Sequence, residues 1–261
     1  MNILEKIVED KKSEVNILKN HINISEIKNR EYKEISFYKA LNNKNKINLI
    51  AEIKKGSPSK GIIKHNFEPL QIAGEYMNSG TDAISVLTDE KYFMGNIKYL
   101  SDIAEIKTVP LLRKDFIINE LQIYQAKLHG ADAILLISEI LEKNQIKEYT
   151  LLAGELNMDV LLELHSVKQL DKIDFDINKI LGINNRNLET FNVNIKTTGE
   201  IKQYLSNEII VVSESGITNK EDIDYLKENN INAVLIGEYF MRKDNIVDAV
   251  KNIKEYLYYE G

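Results

Sequence analysis

The sequence has no cysteine and no tryptophan, and it contains only three prolines among 261 residues. Without cysteine there is no disulfide framework, no thiol nucleophile and no cysteine-based zinc or iron–sulfur site. The four histidines, His21, His65, His129 and His165, stand far apart, which is not the spacing of a paired metal ligand. These absences exclude a small secreted scaffold and favour an ordinary globular protein without a structural metal.

Long apolar runs and an excess of positive charge are also missing. The amino-terminal residues carry charges in their first turns, so they predict neither a signal peptide nor a membrane span. The chain has 34 Lys+Arg and 40 Asp+Glu, a net charge of -6, and its lysines are interleaved with acids. A nucleic-acid interface needs a basic stripe, which this pattern lacks. We therefore expect a cytoplasmic protein that binds neither membranes nor nucleic acids.

Eight short apolar segments rich in Ile, Val and Leu recur along the chain. They lie at residues 47–53, 83–87, 110–113, 131–137, 160–164, 180–184, 209–212 and 233–236. Several are apolar without interruption, which is typical of strands covered on both faces of a parallel sheet. Helical periodicity separates them at intervals of roughly 20–35 residues, the spacing of βαβ units. The count of eight predicts an α/β protein with a (β/α)8 TIM barrel, and a doubly wound open sheet is the alternative.

The first 46 residues precede the first predicted strand. Leu4, Val8 and Val15 lie on one apolar face among charged neighbours, which predicts a helix. We interpret the chain as one barrel domain over residues 1–261, with residues 1–46 as a helical extension. The extension is expected either to cover an end of the barrel or to pack as a flap without a ligand role.

Charged residues stand at the carboxyl ends of four predicted strands, where the reactive groups of such barrels lie. They are Glu52, Lys54, Lys114, Glu163 and Glu214. Because charges inside a barrel have to be paired or face a ligand, these side chains predict a site for proton transfer. The two lysines are candidate acids, and the three carboxylates are candidate bases or partners of the lysines.

Small residues at three strand ends indicate an anion site. Gly216 and Gly237 follow the last two predicted strands, where barrels of this kind often bind a phosphate through backbone N–H groups. The hydroxyl groups of Ser57 and Ser215 are expected close by. We predict a phosphate monoester as the ligand.

Three other polar residues near strand ends have ordinary structural interpretations. Glu139 follows the fourth predicted strand, which is the one strand with a bland end, and His165 is interpreted as a polar residue that starts a loop. Asp115 follows Lys114 and therefore points to the opposite side of its strand. We expect Asp115 to brace the loop rather than to react.

Four motifs at these strand ends resemble the indole-3-glycerol phosphate synthase family. They are IAEIKKGSPSKG at 50–61, LRKDF at 112–116, GINNR at 182–186 and SESGI at 213–217. The resemblance covers nearly the whole chain and includes the helical extension. It implies a tryptophan-pathway lyase that converts 1-(2-carboxyphenylamino)-1-deoxyribulose 5-phosphate to indole-3-glycerol phosphate, releasing carbon dioxide and water. It implies no cofactor and no metal.

The resemblance also implies roles for the five charged residues. Lys114 would protonate the substrate carbonyl oxygen during ring closure, and Glu163 would assist the later proton transfers. Lys54 would hold the substrate carboxylate and serve as the acid in dehydration. Glu52 and Glu214 would orient the lysines and complete the charge balance.

The remaining site residues would bind the substrate. Asn184 would donate a hydrogen bond near the reacting centre, and Phe93 and Phe116 would press on the anthranilate ring. The phosphate and its surroundings would be positioned by Arg186, Ser57, Ser215, Gly216 and Gly237. The expected partner is this phosphorylated small molecule. We expect a monomer, and an association with other enzymes of tryptophan biosynthesis is left open.

Two other functions remain as alternatives. A related phosphosugar enzyme such as phosphoribosylanthranilate isomerase resembles this fold, but it normally uses a cysteine at the end of the first strand, where this chain has Glu52. A non-catalytic barrel that binds a phosphate ligand would keep Gly216 and Gly237 and would lose Lys114 and Glu163. Since both of those residues are present, the enzyme interpretation is favoured.

Overall fold

The structure is a computed structural model that describes residues 3–29, 32–187 and 190–258. In chain order the elements are α1 (Ile3–Leu18), a 3₁₀ helix (Ile24–Asn29), α2 (Phe37–Leu41), β1 (Asn48–Ile53), β2 (Gly56–Ser57), β3 (Gly61–Ile62), α3 (Pro69–Asn78), β4 (Ala83–Leu87), α4 (Glu90–Phe93), α5 (Ile97–Ala104), β5 (Leu111–Lys114), α6 (Glu120–Leu128), β6 (Ala133–Ile137), α7 (Lys143–Glu155), β7 (Asp159–Leu164), a second 3₁₀ helix (Val167–Lys172), β8 (Ile180–Asn184), α8 (Lys196–Lys202), β9 (Ile210–Glu214), α9 (Lys220–Glu228), β10 (Ala233–Ile236), α10 (Glu238–Met241) and α11 (Ile246–Leu257).

Eight of these strands form a closed parallel barrel in the order β1-β10-β9-β8-β7-β6-β5-β4. Each strand pairs with the next barrel strand in the chain, and β10 closes the sheet onto β1 through pairs such as Leu49 with Val234. The connections run through helices because parallel neighbours need a crossover. This topology confirms the predicted (β/α)8 barrel and excludes the open doubly wound sheet.

All eight predicted strands are present, but two of them extend further at their carboxyl ends than predicted. β5 includes Lys114, which pairs with Leu87, and β9 includes Glu214, which pairs with Asn184. The predicted strands ended at residues 113 and 212. The strand pairing of the barrel continues into these polar residues. The side chains of Lys114 and Glu214 contact each other there, in the charged cluster described below.

The buried core has two layers. Inside the barrel, side chains such as Leu112, Leu161 and Val212 form one apolar cluster, and a larger cluster fills the space between the strands and the outer helices. Phe37 and Leu41 of α2 are completely buried in the inner cluster. Truncating a buried Phe to Ala lowers the free energy of unfolding by about 3–5 kcal/mol, so the packing of α2 stabilises the barrel.

The two helices of the amino-terminal extension pack against different parts of the barrel. α2 packs into the barrel interior, whereas α1 lies at the carboxyl ends of the strands, where its buried Lys11 contacts Asp89 and Asp115 just after β4 and β5. This arrangement agrees with an extension that covers an end of the barrel.

Two local features depart from the sequence-based expectation. The segment after β1 contains a small antiparallel ladder, in which Gly56 pairs with Ile62 and Ser57 with Gly61, instead of a plain loop. Gly61 has a φ of 62°, a conformation that favours glycine. After β7 the connection is a 3₁₀ helix rather than an α-helix. Among the helices of the described residues, none combines the length and apolar character required to cross a membrane.

Candidate active site

A cavity of about 590 Å³ opens at the carboxyl ends of the barrel strands. Every site residue that the sequence analysis named lines this cavity. These residues are Glu52, Lys54, Ser57, Phe93, Lys114, Phe116, Glu163, Asn184, Arg186, Glu214, Ser215, Gly216 and Gly237. They come from loops and strand ends far apart in sequence, and the closed barrel brings them together.

The Lys114 amine lies at the centre of three carboxylates. It contacts Glu214 Oε2, and it is 3.6 Å from Glu163 Oε2 and 3.8 Å from Glu52 Oε2. Lys54 Nζ pairs with the other oxygen of Glu52 at 2.6 Å. The three carboxylate side chains are at most 5% exposed, so these charges interact in a medium that screens them poorly.

Burial and neighbouring charges shift the pKa values of this cluster in different directions. Burial lowers the pKa of Lys114, but the three carboxylates more than offset this and raise the pKa above that of an ordinary lysine. Burial raises the pKa of Glu52 and Glu163, but the positive charges of the nearby lysines have a larger effect. Both pKa values therefore lie below that of an ordinary glutamate. Burial raises the pKa of Glu214 to about 7, because Lys114 does not compensate for burial and for repulsion by Glu163.

The number of charges in the cluster explains why the pKa of Glu214 is raised whereas those of Glu52 and Glu163 are lowered. With every group ionised, Glu52, Glu163 and Glu214 carry three negative charges against two positive charges on Lys54 and Lys114. The surplus negative charge has no partner inside the cluster. A buried surplus charge is costly, so one carboxyl group takes up a proton more easily than it would in water.

Two glycines make room for these carboxylates. A Cβ atom at Gly182 on β8 would collide with Glu214 Oε1, and a Cβ atom at Gly237 would collide with Glu52 Oε1. Gly237 was predicted from the sequence as a phosphate residue, and the structure shows that it also clears the space for Glu52. Gly182 was not assigned a role, since a glycine inside an apolar strand gives no sign of what lies across from it.

Asn184 connects the charged cluster to the loop after β9. Its Nδ2 donates a hydrogen bond to Glu163 Oε1 at 3.3 Å, while its Oδ1 accepts hydrogen bonds from Ser215 Oγ at 2.9 Å and from the backbone N–H of Arg186 at 3.0 Å. The side-chain amide is thus fixed in one orientation between the cluster and the predicted phosphate residues.

Asn185 fixes the backbone of the loop after β9 through buried hydrogen bonds. This residue was not predicted from the sequence. Its buried Nδ2 donates to Ser213 Oγ and to the carbonyl of Ser215, both at 3.0 Å, and Thr198 Oγ1 donates to its Oδ1 at 2.8 Å. The motif GINNR could have indicated that two adjacent asparagines at a strand end point to opposite sides.

The rim of the cavity near Gly216 carries two arginines that share a carboxylate. Glu238 Oε1 accepts a hydrogen bond from Arg242 Nε at 2.9 Å, and its Oε2 lies 3.9 Å from Arg186 Nη2. Ser215 and Gly216 both have positive φ values, 67° and 81°, so the backbone turns sharply here. The two guanidinium groups place positive charge at this end of the cavity.

An apolar wall lies across the cavity. The rings of Phe93 and Phe116 stand 6.0 Å apart with a 37° tilt. Ile3, Leu4 and Ile7 of α1 line the same cavity. The sequence predicted the two aromatic residues but not the contribution of α1, because an apolar helical face does not show which surface it covers.

A second cluster of buried charges attaches α1 to the barrel. Lys11 Nζ is 2.8 Å from Asp89 Oδ2 and 2.9 Å from Asp115 Oδ1, and Arg113 Nη2 donates to Asp115 Oδ2 at 3.1 Å. Thr88 Oγ1 also donates to Asp115, at 2.6 Å. Asp115 therefore has the contacts of a brace, as its place opposite Lys114 predicts.

His165 and Glu139 have a different environment from the one expected. His165 Nδ1 is 2.6 Å from Glu139 Oε2, and its Nε2 is 3.4 Å from Glu163 Oε1. The His165 side chain is 9% exposed. The interpretation of both residues as ordinary loop residues was incomplete, because β6 and β7 are adjacent and bring their ends together beside Glu163.

Comparisons with known proteins agree with these observations. The family model described as indole-3-glycerol phosphate synthase matches residues 4–253. The chain is 44% identical over 257 residues to the indole-3-glycerol phosphate synthase of Acetivibrio thermocellus, covering 97% of this chain and 99% of the relative. It is 44% identical over 253 residues to that of Priestia megaterium, covering 96% and 97%.

The solved structures support the fold alone. A thiamine phosphate pyrophosphorylase from Pyrococcus furiosus superimposes with a TM-score of 0.58 at 14% identity, covering 82% of this chain and 96% of that one. The sequence comparisons decide between the alternatives that the residues left open. The chain belongs to the indole-3-glycerol phosphate synthase family and is a carboxy-lyase of tryptophan biosynthesis.

Proposed function

We propose that the cavity converts 1-(2-carboxyphenylamino)-1-deoxyribulose 5-phosphate to indole-3-glycerol phosphate with Lys114 as the acid that starts ring closure. The observation that carries the proposal is the position of the Lys114 amine, in contact with Glu214 and 3.6 Å from Glu163. An ammonium held in its charged form beside carboxylates can give a proton to a developing alkoxide and can then be reprotonated by its neighbours.

Ring closure joins the aromatic carbon that bears the carboxylate to the carbonyl carbon, and the carbonyl oxygen takes a proton from Lys114. The positive charge then lies on the adjacent nitrogen as an iminium, so loss of carbon dioxide returns the bonding electrons to the ring. In dehydration the hydroxyl group leaves with a proton from Lys54, and Glu163 removes the proton from carbon. Lys54 also holds the substrate carboxylate before it is lost.

The carboxylates that flank the lysines have orienting roles in this proposal. Glu52 pairs with Lys54 at 2.6 Å and lies 3.8 Å from Lys114, so it keeps both amines at the cavity floor. Glu214 contacts Lys114 directly. Asn184, fixed by Ser215, presents its amide beside Glu163, where it can hydrogen-bond the substrate near the reacting carbon.

The two ends of the substrate would be recognised by different walls. Phe93 and Phe116, together with the apolar side chains of α1, offer a surface for the anthranilate ring. Arg186, with the backbone at Ser215 and Gly216, offers positive charge and a tight turn for the phosphate. Because Arg186 lies 3.9 Å from Glu238, a bound phosphate would compete with that carboxylate for the guanidinium group.

Ser57 and Gly237 complete the phosphate end in this proposal. Both line the cavity, and Ser57 is held in the small ladder that follows β1. The substrate would therefore lie with its phosphate near β1, β9 and β10 and with its aromatic ring toward β4 and β5.

The experiment adds the substrate to purified protein without metal or cofactor and follows the appearance of indole fluorescence. The chain has no tryptophan to obscure the signal. We expect a saturable rise, and we expect Lys114→Ala to lose about 10²–10⁴ of the turnover, the range for loss of one acid or base.

Lys98→Ala is the matched control, because the Lys98 side chain is 73% exposed and pairs only at the surface with Asp102. It should keep the rate of the unaltered protein. Wild-type turnover in Lys114→Ala would contradict the role of Lys114, and the absence of any rise in the unaltered protein would contradict the reaction.

We also propose that residues 1–261 act as one domain, as a monomer in the cytoplasm. The amino-terminal helix α1 supplies part of the wall of the cavity that the barrel strands form, so the extension and the barrel share one site. Sedimentation equilibrium should give the mass of one chain, 30.0 kDa, with and without substrate. A mass of two chains would contradict the monomer.

A further inference from the structure

Indole formation consumes a proton that the cavity has to obtain from solvent. With the substrate carboxylate ionised, carbon dioxide, water and indole-3-glycerol phosphate together contain one hydrogen more than the substrate. In the proposed sequence Lys114 and Lys54 each give up one proton, and Glu163 takes one from carbon. The cluster therefore ends each turnover one proton short.

Glu163 lies between this cluster and a histidine. Its Oε2 is 3.6 Å from Lys114 Nζ, and its Oε1 is 3.4 Å from His165 Nε2. The other ring nitrogen, Nδ1, is 2.6 Å from Glu139 Oε2. The Glu139 side chain is 28% exposed, whereas that of Glu163 is 5% exposed, so the three residues run from the buried cluster toward solvent.

We propose that His165 supplies the proton that turnover consumes, acting through Glu163, with Glu139 holding the imidazolium in place. The His165 imidazolium gives its Nε2 proton to Glu163. Glu163 passes two protons to Lys114, the one taken from carbon and the one from His165. Lys114 hands one of them to Lys54 through Glu52, which lies 3.8 Å from the Lys114 amine and 2.6 Å from the Lys54 amine. Neutral imidazole, with its Nδ1 proton toward Glu139, is left behind. Neither ring nitrogen is open to water, so the solvent proton enters through the partly exposed Glu139 after the ring turns its remaining N–H toward Glu163 and its bare nitrogen toward Glu139. One solvent proton enters per turnover, and only N–H and O–H bonds change. The inference rests on the proposed function.

The charges around His165 favour this role. Glu139 faces it from the segment after β6, Glu163 from β7 and Glu214 from β9. Burial lowers the pKa of His165, but these carboxylates more than offset burial and raise the pKa above 6.5. A protonated His165 brings one positive charge and Glu139 one negative charge, so the pair leaves the surplus of the Lys114 cluster unchanged.

Hydrogen bonds fix the backbone around His165 and Glu139. The Lys172 amine donates to the carbonyl groups of Ser138 and Leu141, both at 2.9 Å, and Gln169 Oε1 accepts from the backbone N–H of His165 at 2.6 Å. These bonds fix the segment that carries Glu139 and the backbone of His165. The fold therefore fixes the two segments that bring the imidazole within 2.6 Å of Glu139 and 3.4 Å of Glu163.

The test measures kcat and KM against pH for the full chain and for His165→Ala. His165 does not touch the reacting atoms, so it is a positioning residue that acts through Glu163. We expect kcat to fall roughly 10- to 100-fold with little change in KM, less than the loss for a direct acid or base. The loss should increase as the pH rises, because solvent protons become scarcer.

Imidazole added to the medium should restore kcat of His165→Ala in a saturable manner. Pyrazole, which has the same size but takes up no proton near neutral pH, should not. Rescue by imidazole alone supports proton supply. Equal rescue by pyrazole, no rescue by either compound, or wild-type kcat at every pH would each overturn it.

Glu139→Gln provides an independent variant if His165→Ala fails to fold. The fall of kcat with rising pH should move to lower pH, since the imidazolium loses one of its carboxylates. Glu148→Gln, the same charge change at an exposed position of α7, should leave the profile unchanged. Identical profiles for both variants and the unaltered protein would overturn the inference.

Glu163→Gln separates this inference from the proposed function. If Glu163→Gln keeps wild-type turnover, the proposed roles of the cluster fail, and the inference fails with them. If Glu163→Gln is inactive while His165→Ala is fully active, only the inference is overturned.

Discussion

Two buried lysines in this barrel lie among carboxylates and have different surroundings. Lys11 contacts the buried carboxylates of Asp89 and Asp115, and Arg113 adds a second cation, so two positive charges meet two buried negative charges. The third carboxylate on Lys11, Glu14 at 2.7 Å, is 48% exposed and is screened by water. Lys114 and Lys54, in contrast, meet three carboxylates. Lys114 and Asp115 are neighbours in the chain, yet they belong to different clusters because successive strand residues point to opposite sides.

One fold uses the same groups for structure and for chemistry, depending on the balance of buried charge around them. In the balanced cluster, burial raises the pKa of Asp115, but Arg113 and Lys11 outweigh burial and hold it far below the ordinary value. In the unbalanced cluster, burial raises the pKa of Glu214 to about 7. A balanced cluster stays ionised over the physiological range, whereas an unbalanced cluster exchanges protons within it.

The largest expected effect is a difference in kcat between variants of the Lys114 cluster and variants of the Lys11 cluster. Lys114→Ala should lose about 10²–10⁴ of kcat, whereas Lys11→Met should lose much less in the molecules that remain folded. Steady-state kinetics gives kcat for both variants, with each rate divided by the concentration of folded protein. Equal losses of kcat in the two variants would remove the distinction between the clusters.

The next effect concerns stability. Lys11→Met leaves Asp89 and Asp115 buried without their lysine, and breaking a buried pair in this way costs about 3–5 kcal/mol. Denaturant unfolding at neutral pH measures the loss. Lys12→Met is the control on the same helix, since the Lys12 side chain is 57% exposed, and it should change stability by less than about 0.5 kcal/mol. Similar midpoints for the two variants would contradict the assignment of Lys11 as a brace.

A smaller effect should follow from displacing Glu214 without removing it. In Gly182→Ala the new Cβ would push against Glu214 Oε1. A displacement of this order costs about 10²-fold in rate, so kcat should fall by that amount or less. Gly154→Ala, where the added carbon meets open space on α7, should keep full activity. Full activity in Gly182→Ala would show that the position of Glu214 does not matter.

The smallest effect is a difference in the sign of pH dependence. The pKa of Glu214 rises from 4.5 to about 7 on folding, so the unfolded chain releases this proton first, and stability falls as the pH rises between those values. The lowered pKa of Asp115 gives a contribution that is complete above its ordinary 3.8 and is lost as the pH falls below it.

Thermal unfolding against pH tests both signs. Glu214→Gln should remove the decline between about pH 4.5 and 7 while keeping the loss at acid pH. An unchanged decline in Glu214→Gln would mean that another group causes it.

The barrel and the residues at its mouth could be predicted because they depend on local patterns. Apolar runs such as 133–137 mark strands covered on both faces, and the carboxyl ends of parallel strands meet at one end of the barrel. Lys114, Glu163 and Glu214 could therefore be placed together from sequence alone. Their roles stay predictions until the kinetics are measured.

The residues that the sequence did not reveal depend on contacts between distant elements. Lys11 looks like any charged residue of an amphipathic helix, and its partners Asp89 and Asp115 lie after strands far along the chain. Glu139 and His165 follow different strands and meet because β6 and β7 are adjacent in the barrel. Local patterns carry no information about such pairs.

The most direct test of the account is the titration of Glu214 itself. Carbon NMR of protein with labelled glutamate carboxyl groups, assigned by comparison with Glu214→Gln, follows its protonation in the folded chain. We expect a carboxyl group that titrates near pH 7 in the unaltered protein and is missing from the variant. A Glu214 that titrates near the ordinary 4.5 would contradict the claim that a surplus buried carboxylate distinguishes the reactive cluster from the structural one.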